Sequence, residues 1–217
     1  MKYSTILVDL DGTLTDPFDG VTRSVQYALE CYDIMEEDYE KLILFVGHDP
    51  VERFRSVYGF SDEDAAGAAA VYHERYAHVG INENNIYEGV EELLNGFCVY
   101  GLNIGLVTTK PKVYAEKILK QFEIETYFNA VCGSEMDGSR ITKVEAINEA
   151  LFKFDVDDRS QVVLIGDRVS DLEAARQAGV DAIGVVWGYG EEEDLVQHKH
   201  VFIAEDLKSL YEFLKEK

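Results

Sequence analysis

The sequence predicts an α/β protein: a doubly wound parallel sheet with a helical cap domain inserted after the first strand. Three observations carry this expectation. Apolar runs of strand length alternate with amphipathic helical patterns along most of the 217 residues. The alternation fails over about residues 16–85, where only helical patterns occur. Residues able to do chemistry stand at the ends of the apolar runs, where open parallel sheets bind ligands. The expected division is an α/β core over 1–15 and 86–217, with a cap over 16–85.

The first run, Thr-Ile-Leu-Val-Asp-Leu at 5–10, is short, apolar and closed by Asp-Gly, so it reads as a buried strand. Comparable runs occupy 103–108, 130–132, 162–165 and 182–186, with a weaker one at 200–203. Between them, 113–122 has helical spacing with Pro111 near its start. Residues 142–152 place Val144, Ile147 and Leu151 on one face. Residues 170–178 read as a helix with Ser170 as N-cap and Gly179 as terminator. In the insert, helices are expected at 21–32, 37–45, 50–58 and 62–78, with turns at 47–50 and 59–61. A further helix follows Gly89.

The formal net charge is -22. That repels nucleic-acid backbones and anionic membranes and leaves a small anion in a locally positive or metal-bearing pocket as the expected ligand. The partners expected are a small phosphorylated metabolite, no nucleic acid and no membrane, in a monomer or homodimer. Cys31, Cys98 and Cys132 are too far apart for a disulfide framework or a zinc site. Cys98 and Cys132 sit among apolar neighbours and read as buried thiols. A reducing, cytoplasmic setting is the expectation, since the amino terminus lacks the shape of a signal peptide.

Asp9 and Asp11 end the first run, Thr108 the second and Asp167 the fourth, while Lys143 opens the helix after the third. A carboxylate can attack phosphorus and split hydrolysis into two easier steps. Charge repulsion must first be relieved, and Mg²⁺ held by a few carboxylates does this. Asp9 and Asp167 can supply those carboxylates, and the carbonyl of Asp11 a further oxygen. Thr108 can donate to a phosphoryl oxygen and Lys143 can neutralise charge. The Asp11 side chain can protonate the leaving group and then activate water. Gly12 lets the chain bend so that its amides approach the phosphate. Lys110 and Arg140 are nearby cations that could be mistaken for Lys143.

These motifs resemble those of the haloacid dehalogenase superfamily of phosphatases. The first is Asp9-Leu10-Asp11-Gly12-Thr13-Leu14-Thr15-Asp16, the second Leu106-Val107-Thr108, the third Lys143, and the fourth Gly166-Asp167-Arg168-Val169-Ser170-Asp171. Order and spacing agree over the whole chain. The resemblance implies a Rossmann-like core, Mg²⁺, an aspartyl-phosphate at Asp9, phosphate binding by Gly12, Thr108, Thr109 and Lys143, and metal binding by Asp9, Asp11, Asp167 and Asp171. Asp171 would bind the metal through water or brace Lys143. The helical insert and Gly184-Val185-Val186-Trp187-Gly188-Tyr189-Gly190 are similar to the helical-cap subclass, and Thr-Lys-Pro, Gly-Ser-Glu and Gly-Asp-Arg to its phosphoglycolate-phosphatase and 5′-nucleotidase-like branch. Two positions depart from many relatives: Thr109 stands where Asn is common, and Arg168 where Ser is common. Arg168 would add positive charge or pair with Asp171.

In the cap, Arg23, His48 and Arg53 are the candidate substrate contacts, whereas Tyr58, Tyr72 and Tyr76 read as cap core. Among rival functions, a phosphomutase of the β-phosphoglucomutase kind shares every core motif. A phosphate-accepting signalling module would carry its aspartate in a middle strand and lack Asp11. A dehalogenase needs neither Asp11 nor a metal. A phosphonate hydrolase needs a cap lysine, and Lys41 is the only one in the insert.

Overall fold

The computed structural model describes residues 1–135 and 142–216; Arg140 lies outside them. The chain divides into two compact units, one of residues 1–16 and 86–217 and one of residues 17–85.

In the first unit, β1 is Thr5–Val8. It is followed by the two-residue strand β2, Thr15–Asp16, at the edge of the insert. The second unit holds α1 (Phe18–Glu30), α2 (Tyr39–Ile43), α3 (Pro50–Tyr58) and α4 (Asp62–His78). The two-residue strand β3, Asn85–Ile86, marks the return of the chain. Then come α5 (Val90–Val99), β4 (Asn103–Pro111), α6 (Lys112–Gln121), β5 (Ala130–Ser134) and α7 (Lys143–Lys153). The chain closes with β6 (Val162–Gly166), α8 (Val169–Ala178), β7 (Asp181–Val185), α9 (Glu192–Gln197), β8 (Phe202–Ala204) and α10 (Leu207–Lys215).

Six strands form one sheet in the order β5-β4-β1-β6-β7-β8, and every neighbouring pair is parallel. The doubly wound parallel sheet predicted from the sequence is therefore present. β1, β4 and β6 read as apolar runs because both faces are covered, and their interior residues are buried. The first strand in the chain is also central in the sheet. In register, Val8 stands beside Leu106 and Ile165, so Asp9, Thr108 and Asp167 leave the same carboxyl edge within a residue of one another.

Two local expectations change, and one pair of alternatives is decided. Cys132 is buried but Cys98 is exposed. Helix α5 buries Val90, Leu93, Leu94 and Phe97, and position 98 falls on the outer side of that stripe. Helix α8 starts at Val169 with Arg168, not Ser170, as N-cap. The reason is Asp171, whose Oδ2 accepts the Arg168 N–H at 3.1 Å and closes the first turn. The guanidinium of Arg168 approaches Asp167 Oδ2 (Nε at 3.8 Å) rather than Asp171.

In the helical unit, Asp49 and Ser61 cap α3 and α4 through their side chains. Phe45 and Phe54 are fully buried, and Tyr58 and Phe60 pack around them. Tyr72 and Tyr76 are buried and stacked at 5.8 Å. Arg75 donates to Ser24 Oγ at 3.1 Å and to Glu83 Oε2 at 2.8 Å, tying α1, α4 and the segment after α4 together.

Candidate active site

In the first unit, Asp9 and Asp167 directly follow β1 and β6, Thr108 and Lys110 lie within β4, and Lys143 and Asp171 lie in the first turns of α7 and α8. Asp9 follows β1 directly and donates its N–H to Ile165 O at 3.0 Å. The chain then turns within residues 10–15. Thr13, Leu14 and Thr15 all donate N–H groups to Leu10 O. Gly12 takes a left-handed φ of 85°. A Cβ there would stand 2.2 Å from Asp167 Oδ2, so only glycine fits. The Gly12 amide expected to approach a phosphate instead donates to Thr15 O at 2.8 Å. What Gly12 supplies is room for Asp167.

Two buried lysines divide the carboxylates between them. Lys143 Nζ lies 2.7 Å from Asp9 Oδ1 and 2.8 Å from Asp171 Oδ1, and also donates to Val107 O at 3.4 Å. Burial opposes its charge, but Asp171 and Asp9 outweigh that and hold Lys143 above the ordinary lysine range. The position of Lys143 follows from Thr142, which forms a capping box with Glu145 and fixes the start of α7. Lys110 Nζ lies 2.7 Å from Asp11 Oδ2. Thr108 is buried, and its Oγ1 accepts the Lys110 N–H at 3.2 Å. Thr109 is exposed, and its carbonyl accepts from Ser134 Oγ at 2.8 Å.

Asp167 is wholly buried. Its Oδ2 accepts the Tyr189 N–H at 2.8 Å, while Oδ1 has no hydrogen-bond partner among the described residues. Gly188 and Gly190 close on it as Gly12 does, since a Cβ on either would meet Asp167 atoms at 2.4 Å or less. Trp187 anchors this loop by donating Nε1–H to Thr13 O at 3.1 Å. The Tyr189 hydroxyl donates to Asp16. Burial, then the neighbouring Asp171 and Asp9, push the Asp167 carboxyl up to about 7. Burial likewise raises Asp171, with Lys143 opposing.

Asp9, Asp167 and Asp171 each offer a carboxylate oxygen, and these oxygens lie within 4.8 Å of one another. Four carboxylates, counting Asp11, face two buried ammonium groups, which leaves two negative charges in excess; Arg168 offsets part of this from the rim. An oxygen-only donor set with surplus negative charge and a buried oxygen without a partner fits a hard cation.

The candidate substrate contacts of the helical unit have different surroundings. Arg23 is exposed and pairs with Glu83 at 3.0 Å and Asp19 at 3.4 Å. His48 is exposed. Arg53 is half-buried, and its Nε has no hydrogen-bond partner among the described residues. Lys41 pairs with Glu36 at 3.0 Å on the surface. Sequence reasoning assigned no role to Lys110, Trp187 or Tyr189. For Lys110 the signal was its place two residues after Thr108; for the other two it was the Trp-Gly-Tyr-Gly run.

A family model for haloacid dehalogenase-like hydrolases matches residues 6–185. A 5′-nucleotidase of Pseudomonas aeruginosa is 39% identical over 99% of this chain and 97% of its own. The tyrosine-protein kinase PtkA of Mycobacterium tuberculosis is 32% identical over 87% of this chain, but only 64% of PtkA is covered. A crystal structure of a candidate phosphatase from Clostridium difficile superimposes with a TM-score of 0.92 at 40% identity, with 99% of each chain covered. The motifs, the sheet order and these similarities agree, and the chain belongs to the haloacid dehalogenase-like hydrolase family.

Proposed function

We propose that this enzyme, a phosphatase by family, is a Mg²⁺-dependent phosphomonoester hydrolase that works through an aspartyl-phosphate on Asp9. The observation that supports this reading best is the division of the two lysines: Lys143 on Asp9 and Asp171, Lys110 on Asp11. Two carboxylates only two residues apart thus have different partners, as two different roles require.

Asp9, Asp167 and Asp171, with the carbonyl of Asp11, would hold the cation. When bound, Mg²⁺ would withdraw charge from the phosphoryl group and relieve its repulsion with Asp9. Lys143 holds Asp9 oriented for attack. Thr108 and Lys143 stabilise charge on the phosphoryl oxygens. Asp11 gives a proton to the leaving oxygen, then takes one from the water that opens the aspartyl-phosphate. In this scheme Asp171 braces Lys143 besides serving the cation.

The substrate is a small phosphorylated metabolite: phosphoglycolate, a nucleoside 5′-monophosphate or a sugar phosphate. The helical unit serves as the cap that selects among them, with Arg23, His48 and Arg53 as candidate contacts. The test is a screen of such esters with and without Mg²⁺, with Asp9→Asn as control. Turnover that needs Mg²⁺ and vanishes in Asp9→Asn is expected. Full activity in Asp9→Asn would sink the covalent mechanism, and isomerisation of a sugar phosphate without release of phosphate would favour a mutase.

A further inference from the structure

Lys110 carries no chemical step in the scheme above, yet its side chain is only 8% exposed and ends 2.7 Å from Asp11 Oδ2. An ammonium so deep is retained only with a partner. The backbone that carries it is held firmly. The pairing of β4 with β5 slips register between Val107 and Pro111, a bulge that redirects the chain. Within that bulge the Lys110 N–H is bound to Thr108 Oγ1, and Ser134 Oγ is bound to Thr109 O. Gly133 lets β5 press close, since a Cβ there would stand 2.7 Å from Lys110 O. The lysine therefore addresses one particular oxygen from a fixed base.

An ammonium donates three hydrogen bonds and accepts none. Oδ2 of Asp11 can only accept at that contact, whether or not the carboxyl carries a proton. Any proton on Asp11 then belongs on Oδ1, which is buried and has no hydrogen-bond partner among the described residues. We infer that Lys110 is a positioning residue that holds Asp11 by Oδ2 and confines proton transfer to Oδ1. This rests on the acid–base role proposed for Asp11. As an oxygen of Asp9 bonds to phosphorus, the bond from phosphorus to the alcohol oxygen breaks, and the proton on Asp11 Oδ1 passes to that oxygen. In the second step a water oxygen bonds to phosphorus and the Asp9 oxygen leaves. One water proton returns to Oδ1, and inorganic phosphate departs.

The test uses Lys110→Met, which keeps most of the stem and removes the donors. kcat/KM is measured with Mg²⁺ for an alkyl phosphate and for p-nitrophenyl phosphate, whose phenolate leaves with little help from an acid. kcat/KM is chosen because it reports cleavage of the ester and not the later hydrolysis. Losing the position of a general acid should cost about 10²-fold on the alkyl ester and under about threefold on the nitrophenyl ester. Asp11→Asn should show the same selectivity, and the double variant should lose little beyond Asp11→Asn. An equal loss on both esters, or no loss, overturns the inference. If Asp11→Asn is selective and Lys110→Met is not, the role of Lys110 alone fails. If Asp11→Asn is unselective while Asp9→Asn is dead, the acid role of Asp11 fails and this inference with it. Should Lys110→Met not fold, Lys110→Arg, which keeps a donor but displaces it, carries the same comparison.

Discussion

Replacing Asp167 by Asn should make the metal-free protein more stable while abolishing phosphatase activity. Asp167 is wholly buried beside Asp171 and Asp9, and its carboxyl is raised from 3.8 to about 7. A raised carboxyl binds its proton more tightly in the folded state, so stability is lost as pH climbs from the unfolded value through the folded one. Above pH 7 the penalty is complete. Roughly three pH units at about 1.4 kcal/mol each give about 4 kcal/mol. Near pH 5 only about a third of that penalty has accumulated. Asn keeps the acceptor for the Tyr189 amide and carries no charge. Urea unfolding in EDTA should therefore find Asp167→Asn more stable by a margin that widens from pH 5 to pH 8. Mg²⁺ should stabilise the parent protein and not the variant. A variant less stable than the parent at pH 8 in EDTA would show that Lys143 and Arg168 already neutralise the cluster, and the argument for a cation would lose its electrostatic basis.

Two further perturbations separate the units. Gly12→Ala should cost about 1–3 kcal/mol from the left-handed φ alone and lose nearly all turnover, because the new methyl group displaces Asp167; melting temperature and initial rates check it. Arg75→Met should lower the stability of the helical unit by about 1–3 kcal/mol, since Glu83 loses a partner at 2.8 Å and Ser24 one at 3.1 Å, with urea unfolding as the measurement.

The parallel sheet was legible because strands covered on both faces must be apolar throughout, and β1, β4 and β6 are. The grouping of Asp9, Thr108 and Asp167 was legible too, because parallel strands in register deliver the ends of their runs to one edge. Which lysine meets which aspartate was not. Lys143 is placed by a cap on α7 and Lys110 by a bulge against β5, and neither depends on spacing from Asp9. The role of Tyr189 was not legible because it binds Asp167 through a backbone amide, which no side-chain pattern reveals. Cys98 was misjudged because apolar neighbours along the chain do not say which side of a helix faces inward. Neither α9 nor α10 was anticipated: α9 buries only Leu195 and gives little apolar signal, whereas α10 carries Leu207, Leu210 and Leu214 at helical spacing, a pattern that was legible and was passed over.

Asp167 is gripped by three glycines, two from the loop after β7 and one from the turn after β1. That grip has a meaning for protein engineering. The pieces cannot be varied one at a time, because a side chain at Gly12 or Gly188 would enter space that the Asp167 side chain already fills, and one at Gly190 would run into the Asp167 backbone carbonyl. Random mutagenesis at these positions should yield almost only inactive clones. On the proposed reading of residues 17–85 as the substrate-selecting cap, a library aimed at new substrates is better placed there, since none of these three glycines lies in that segment.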